Sequence, residues 1–201
     1  MSWRMSCFLS VALTCFLALA GDTVRAADPC RSGLQRGQRP GPYAAVISTG
    51  PERGKSHCYI CETGDRPAVV VFARNLNLSL AKLCQRLDQA VVEYHKAELR
   101  AWVTLLSDDQ LSLDPRVVQW GKKYALRSIP IGVFEDVGGP PSYLLARDAD
   151  VTVLLFVKQK VVANFAFREG ELSSEKVAEV MKALPRIVGE KKEKTATTEG
   201  P

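Results

Sequence analysis

The chain has 201 residues, of which 46% are hydrophobic and 24% charged, and this balance excludes an intrinsically disordered protein. Its formal net charge of +5 is a mild excess without a basic cluster, so we predict no nucleic-acid partner. The length suits a single domain with its own hydrophobic core.

The first 26 residues predict a secretory signal peptide. After a polar start, residues 7–20 are largely apolar, and this stretch is shorter than the roughly 20 residues that span a bilayer. Val24, Ala26 and Ala27 supply the small residues of a cleavage site. We therefore predict export to the periplasm or the extracellular space, with no membrane span after cleavage. A retained membrane anchor is the alternative, because signal and anchor differ mainly in length and flanking residues.

Cleavage would leave four cysteines in the mature chain: Cys30, Cys58, Cys61 and Cys84. Disulfides persist in export compartments, so these thiols can pair there. Four cysteines allow three complete pairings, and their spacing does not select one.

The two ends of the mature chain lack hydrophobic periodicity. Residues 27–54 are rich in Gly, Pro and Arg and predict an irregular lead-in on the surface. Residues 189–201 carry charged and small side chains and predict a disordered tail. Residues 55–188 between them are predicted to form the domain.

Strand and helix patterns alternate through this domain. The continuous apolar run Ala68–Ala73 predicts a first central strand that is buried on both faces. The next predicted elements are a helix at 80–94, a strand at 99–107, a helix at 115–124 that starts with proline, and a strand at 129–135. Strands linked by helices in this order predict parallel crossovers.

The last third of the domain predicts a hairpin and a closing helix. Strands at 151–157 and 161–167 are separated by a short polar turn, which favours antiparallel pairing. Ser173 is the predicted N-cap of the last helix, and Pro185 limits its length. The predicted fold class is α/β, with a central mixed sheet of about five strands flanked by helices.

Four short segments carry a resemblance to a known fold: Gly33-Leu-Gln-Arg-Gly37, Val69-Val-Val-Phe72, Trp120-Gly-Lys-Lys-Tyr124 and Val153-Leu-Leu-Phe156. In this order, over residues 34–188, the chain resembles the thioredoxin-like fold in its peroxiredoxin-related form. More narrowly, it is similar to exported bacterial thioredoxin-domain proteins that carry a Cys-x-x-Cys just before the first central strand.

The chain departs from this family where the active site is expected. The resemblance implies a reactive cysteine in the loop after the first central strand, but residues 74–80 contain none. Cys84, about one helical turn further on, is predicted to be a buried and unreactive thiol. Pro130 begins the third strand, and the position before the hairpin that aligns with the family's active-site proline reads Asp150-Val151-Thr152.

The segment His57-Cys58-Tyr59-Ile60-Cys61-Glu62 is the remaining candidate site. A Cys-x-x-Cys suits thiol exchange, in which Cys58 would attack, His57 would stabilise its thiolate and Cys61 would resolve the mixed disulfide. Because the pair precedes the first central strand, we expect it at the end of the sheet opposite to the usual thioredoxin site. We expect no helix N-terminus directly after it.

Two other interpretations of the cysteine pair stay open. A structural disulfide would tie down the loop, and zinc could take the pair with further ligands from Cys30, His57 or Cys84. The sequence argues strongly against haem attachment, because that motif needs a histidine where the chain has Glu62. We predict no bound metal and no cofactor.

These observations lead to two functional hypotheses. The first is an exported thioredoxin-like domain that lacks the usual thioredoxin or peroxiredoxin active-site cysteine and acts as a binding or structural module in the cell envelope. The second is a thiol–disulfide oxidoreductase that uses Cys58 and Cys61. Under either hypothesis the partners are other exported proteins, met by thiol exchange or by surface binding.

The export prediction is tested by N-terminal sequencing of the protein after secretion by an expressing cell. The first residue should be Ala27 or Asp28, because the small residues before them fit the cleavage pattern. A mature protein that still begins with Met1 would contradict the signal peptide.

Overall fold

The computed structural model describes residues 28–189, and the predicted signal peptide and the tail from residue 190 lie outside that range. The strands are β1 (Ala45–Thr49), β2 (Ser56–His57), β3 (Ala68–Ala73), β4 (Arg100–Leu106), β5 (Ile131–Phe134), β6 (Val151–Val157) and β7 (Lys160–Phe167). The α-helices are α1 (Tyr59–Thr63), α2 (Leu78–Glu93), α3 (Gln110–Lys123), α4 (Ser174–Lys182) and α5 (Pro185–Val188). Within the described range, no helix combines the length and the apolarity that crossing a bilayer requires.

All seven strands form one mixed sheet in the order β2-β1-β5-β4-β3-β6-β7. The pairs β3–β4 and β4–β5 are parallel, and every other neighbouring pair is antiparallel. The predicted α/β class and the β6–β7 hairpin are therefore confirmed. The predicted count of about five strands is too low, because β1 and β2 extend the sheet beyond β5.

Strand β3 forms the centre of the core. All six of its residues are buried, and Val70 lies between Trp102 of β4 and Leu154 of β6. Successive side chains of a strand point to opposite faces, so β3 contributes to two separate hydrophobic clusters. Val69 and Val71 pack with the helices α2, α3 and α4, whereas Val70 packs into an aromatic cluster on the second face.

The helical face follows the predicted amphipathic pattern. Leu80, Leu83 and Leu87 of α2 are fully buried against the sheet, and the side chain of Asn77 caps the helix by accepting the N–H of Leu80. Ser173 caps α4, as the sequence predicts.

Helix α3 begins five residues before the predicted start at Pro115. Its N-cap is Asp109, whose Oδ1 accepts the backbone N–H of Ser112 at 3.0 Å. A carboxylate cap that satisfies a free amide outweighs the preference of proline for the first turn, so Pro115 lies inside the helix.

The lead-in is not the irregular surface segment that its composition predicts. It contains β1, and Leu34 and Ile47 are almost completely buried. The side-chain amide of Asn164 donates to the carbonyls of Ser32 and Leu34, both at 2.8 Å, and fixes the segment against β7. The physical reason is that the helices α2, α3 and α4 all pack on one face, so the second face needs another cover.

Gly33 shows how closely the lead-in approaches the sheet. Its φ of +82° is in the left-handed region, and a Cβ at this position would lie 2.8 Å from Cγ2 of Thr152. A side chain here would therefore face both backbone strain and a steric clash.

Substitution of Val70 by Asp tests the central position of β3. Val70 is 0% exposed, so the substitution buries an unpaired carboxylate and should lower the free energy of unfolding by about 4 kcal/mol or more. The matched control is Val137→Asp, at a side chain that is 51% exposed, where the change should stay within about 0.5 kcal/mol. Equal losses in denaturant melts of the two variants would contradict the described core.

Candidate functional site

The two cysteines of the Cys-x-x-Cys form a disulfide with a Cα–Cα distance of 5.4 Å. Contrary to the sequence-based expectation, a helix follows directly, because Cys58 is the N-cap of α1. The Cys58 sulfur accepts the backbone N–H of Cys61 at 3.2 Å, and this bond satisfies one of the free amides at the helix start. One short helical turn thus carries both cysteines.

The disulfide faces outward. Tyr59 and Ile60 pack against the second-face cluster, and Thr63 is buried. These residues turn the opposite side of α1 to solvent, where Cys61 is exposed and Cys58 is half-buried. A thiol of another molecule can therefore approach this side of the disulfide without movement of the core.

A small charged network lies beside the disulfide. One carboxylate oxygen of Glu62 is 3.0 Å from Nε2 of His57, and the other is 3.4 Å from Nη1 of Arg100 at the start of β4. The imidazole of His57 also packs edge-on against the ring of Tyr59, with 4.5 Å between centroids. The described hydrogen bond of His57 is therefore to Glu62. The role of His57 as stabiliser of the Cys58 thiolate stays a prediction.

Arg66 fixes the C-terminal end of α1. Its Nε donates to the carbonyl of Thr63 at 2.9 Å, and its Nη2 donates to the carbonyl of Glu62. These bonds satisfy carbonyls that a five-residue helix cannot satisfy internally. The cysteine pair is consequently held at the amino ends of β3 and β4.

The opposite end of β3, where the resemblance implies reactive cysteines, holds a polar network. Asp150 is 7% exposed, and its two carboxylate oxygens accept the amides of Asn75 at 2.8 Å and Asn77 at 3.2 Å. Arg74 donates to the carbonyls of Ala149, Ala146 and Val137. These bonds join the loop after β3 to the segment before β6 without any thiol.

The two remaining cysteines are free thiols with different surroundings. Cys84 is fully buried in α2, as predicted, and burial raises the pKa of its thiol far above the ordinary value. Cys30 is half-buried, and its thiol pKa is raised by burial and by the nearby carboxylate of Asp148. Neither environment favours the reactive thiolate form.

A cleft of about 320 Å³ opens on one flank of α1. Tyr59, Glu62 and Thr63 of α1 form one wall, and the rest of the lining comes from the end of α2, the start of β4 and the segment before β5. Among these residues, Arg100 and His95 were not identified from the sequence as site residues. No sequence signal joins them, because the lining comes from four separate segments.

Metal ligation was one of the open interpretations of the cysteine pair. Across residues 28–189, no three side chains of His, Cys, Asp or Glu are grouped so that they could hold a metal ion. His57 is instead paired with Glu62.

Replacement of Asp150 by Ala tests the polar network. The substitution leaves the half-buried amide of Asn77 without its acceptor and should lower the free energy of unfolding by about 1–3 kcal/mol in a denaturant melt. Asp148→Ala is the matched control, because Asp148 is exposed and its ion pair with Arg168 is at the surface; the loss of stability should be much smaller. A larger loss for Asp148→Ala would contradict the structural role of Asp150.

No protein-family model matches this sequence, and none of the curated proteins compared with it is significantly similar. Solved structures are similar in fold. A candidate protein disulfide isomerase from Bacteroides thetaiotaomicron superposes with a TM-score of 0.59 and 15% identity, over 79% of this chain and 94% of its own. A candidate thiol:disulfide interchange protein, DsbE, from Chlorobium tepidum gives 0.53 and 14%, over 75% and 99%.

A yeast mitochondrial 1-Cys peroxiredoxin also superposes, with a TM-score of 0.53 and 14% identity, over 76% of this chain and 77% of its own. These superpositions establish the shared fold, and identities this low carry no information on activity. The chain therefore has the thioredoxin-like fold, with a Cys-x-x-Cys disulfide placed before the first central strand.

Proposed function

We propose that this protein is a thiol–disulfide exchange protein that acts through Cys58 and Cys61. The observation that carries the proposal is the outward-facing disulfide at the start of α1, in which Cys61 is exposed and Cys58 accepts a backbone N–H. Exchange requires a disulfide that another thiol can reach and a thiolate that the protein stabilises, and this geometry supports both.

The reaction in the direction that reduces the client follows from these positions. In the dithiol form of the protein, the Cys58 thiolate keeps the N–H of Cys61 as a hydrogen-bond donor and attacks one sulfur of a client disulfide. One client sulfur leaves as a thiolate, and a mixed disulfide forms with Cys58. The Cys61 thiolate then attacks Cys58, releases the second client thiolate and restores the Cys58–Cys61 bond, so two electrons pass from the protein to the client.

The size of the ring argues against a purely structural disulfide. The two cysteines are only three positions apart, so the bond restricts the unfolded chain less than a bond that closes a longer loop. In the chain-entropy account such a ring adds about 2 kcal/mol, compared with about 3 kcal/mol for a 15-residue loop. The α1 turn is also held by Arg66 and by the packing of Tyr59, which do not need the bond.

The second candidate function is the binding or structural module that lacks the usual active-site cysteine. The observation that favours it is the network of Arg74, Asn77 and Asp150, which occupies the end of the sheet where the resemblance implies reactive thiols. On this reading the cysteine pair fastens α1 and takes no part in exchange.

We place this function after export, in the periplasm or the extracellular space. The support is the signal-like sequence of residues 1–26 and the presence of a disulfide, which persists in oxidising compartments. The partners on this proposal are other exported proteins with disulfides or free thiols. The same proposal takes residues 55–188 as the functional domain, with β1 contributed by the segment before it.

Trapping of mixed disulfides tests the exchange reaction. In a Cys30→Ser background, Cys61→Ser should accumulate covalent adducts through Cys58 when incubated with a disulfide-containing client, because the resolving thiol is missing. Cys58→Ser should accumulate few. The adducts are counted on non-reducing gels and by mass spectrometry, and Cys84→Ser serves as the control because its thiol is buried.

The reduction potential of the purified mature chain supplies a second readout. A value within roughly −120 to −270 mV, the range of exchange proteins, is expected. Negligible trapping by both variants, together with a large fall in melting temperature on reduction, would instead identify a structural bond. A stoichiometric zinc ion in the same sample would overturn both candidate functions.

A further inference from the structure

We propose that the cleft on the flank of α1 binds a large apolar side chain of the client, at a position about three residues from the client's cysteine. This inference rests on the proposed exchange function and assigns its substrate class: segments of extended polypeptide in which an aromatic or aliphatic residue lies near the reacting cysteine.

The lining of the cleft suits an apolar side chain. Its volume of about 320 Å³ lies at the lower limit of ordinary ligand pockets, which begin at about 300 Å³. Trp102 and Leu99 of the lining are buried, and Val91 and Pro130 are half-buried.

The charges at the rim disfavour a charged ligand. Glu62 pairs with Arg100 at 3.4 Å, and Glu98 pairs with Arg66 at 4.0 Å. Each described carboxylate of the lining therefore faces a guanidinium, and Arg100, the one guanidinium in the lining, is neutralised in turn. An ionic ligand would therefore meet no unpaired carboxylate or guanidinium in this lining, whereas an uncharged segment of polypeptide needs none.

The hydroxyl of Tyr59 supplies a hydrogen-bond donor for such a segment. It is buried and has no partner among the described residues, although Tyr59 lines the cleft. Burial and the carboxylate of Glu62 raise the pKa of Tyr59 to about 12, so the proton stays on the oxygen. A buried donor without a partner is unfavourable, and a backbone carbonyl of a bound peptide would satisfy it once the Tyr59 ring turns its hydroxyl toward the cleft.

The spacing of three residues follows from the geometry of α1. Tyr59, Glu62 and Thr63 are at positions i, i+3 and i+4 and share the face that lines the cleft, whereas neither Cys58, which carries the client in the mixed disulfide, nor Cys61 belongs to that lining. A client that reacts at the disulfide must therefore cross the helix to reach the cleft. A helix is about 10 Å wide with its side chains, and an extended chain covers about 3.3 Å per residue.

Three synthetic peptides of nine residues test the spacing. Each has a central cysteine as its mixed disulfide with 5-thio-2-nitrobenzoate, whose release is followed by absorbance. The spaced peptide carries Phe three residues from the cysteine on both sides, the adjacent peptide has the same composition with Phe next to the cysteine, and the serine peptide has Ser in place of Phe. The reduced protein should react with the spaced peptide about tenfold faster than with the other two.

Two pairs of proteins then test the cleft itself. Ser128→Trp fills the cleft from its rim and should remove the advantage of the spaced peptide, whereas Ser128→Ala should keep it. Tyr59→Phe should lower the rate of reaction with the spaced peptide by about three- to tenfold. The melting temperature of this variant should equal that of the wild type or rise, because no internal hydrogen bond is lost. A lower melting temperature with unchanged peptide reactivity would overturn the role of the hydroxyl.

A cysteine-free form of the spaced peptide separates this inference from the exchange function. Titrated into the oxidised protein, it should change the tryptophan fluorescence through Trp102, and Ser128→Trp should abolish its binding. If the cysteine-free peptide binds but none of the three cysteine peptides reacts, the exchange function is refuted and the cleft remains a peptide-binding site. Equal exchange with all three peptides, with no binding of the cysteine-free form, would refute the cleft and leave the exchange function intact.

Discussion

The second face of the sheet, which the helices α2, α3 and α4 leave open, is the constraint on which the remaining architecture depends. The β3 side chains on this face, including Phe72, and the ring of Trp102 on β4 would be exposed to water if the chain before β3 did not cover them. Covering that face brings Leu34 against the sheet, adds β1 and β2 to its edge, and delivers α1 to the amino ends of the central strands. The position of the disulfide is thus a result of core burial.

Helix α1 is too short to be stable in isolation, so the contacts around it determine its position. Individual surface ion pairs contribute little to stability, but the carboxylate of Glu62 joins β2 through His57 to β4 through Arg100. Together with the carbonyl contacts of Arg66, these bonds support the orientation that the packing of Tyr59 and Ile60 gives the helix. Orientation of the disulfide, more than added stability, is the effect of this charged network.

The sequence alone predicted the elements that have a local hydrophobic pattern. β3, the β6–β7 hairpin and the burial of Cys84 follow from apolar runs and helical spacing, and the structure has them as predicted. β1 was missed because its five residues lie in a segment dominated by Gly, Pro and Arg, and its strand character comes from pairing with β5. The early start of α3 depends on the cap that Asp109 provides. The cleft lining comes from four separated segments, and no local sequence pattern predicts that they lie close together.

The polar network at the far end of β3 has an evolutionary consequence. Asp150 uses both carboxylate oxygens to hold Asn75 and Asn77, and Asn77 also caps a helix of sixteen residues. A mutation that introduced a cysteine at either asparagine would break a bond to a buried carboxylate before a second cysteine could make the first one useful. A single mutation toward a cysteine pair at this end of the sheet is therefore costly, whereas α1 carries its two cysteines without breaking this network.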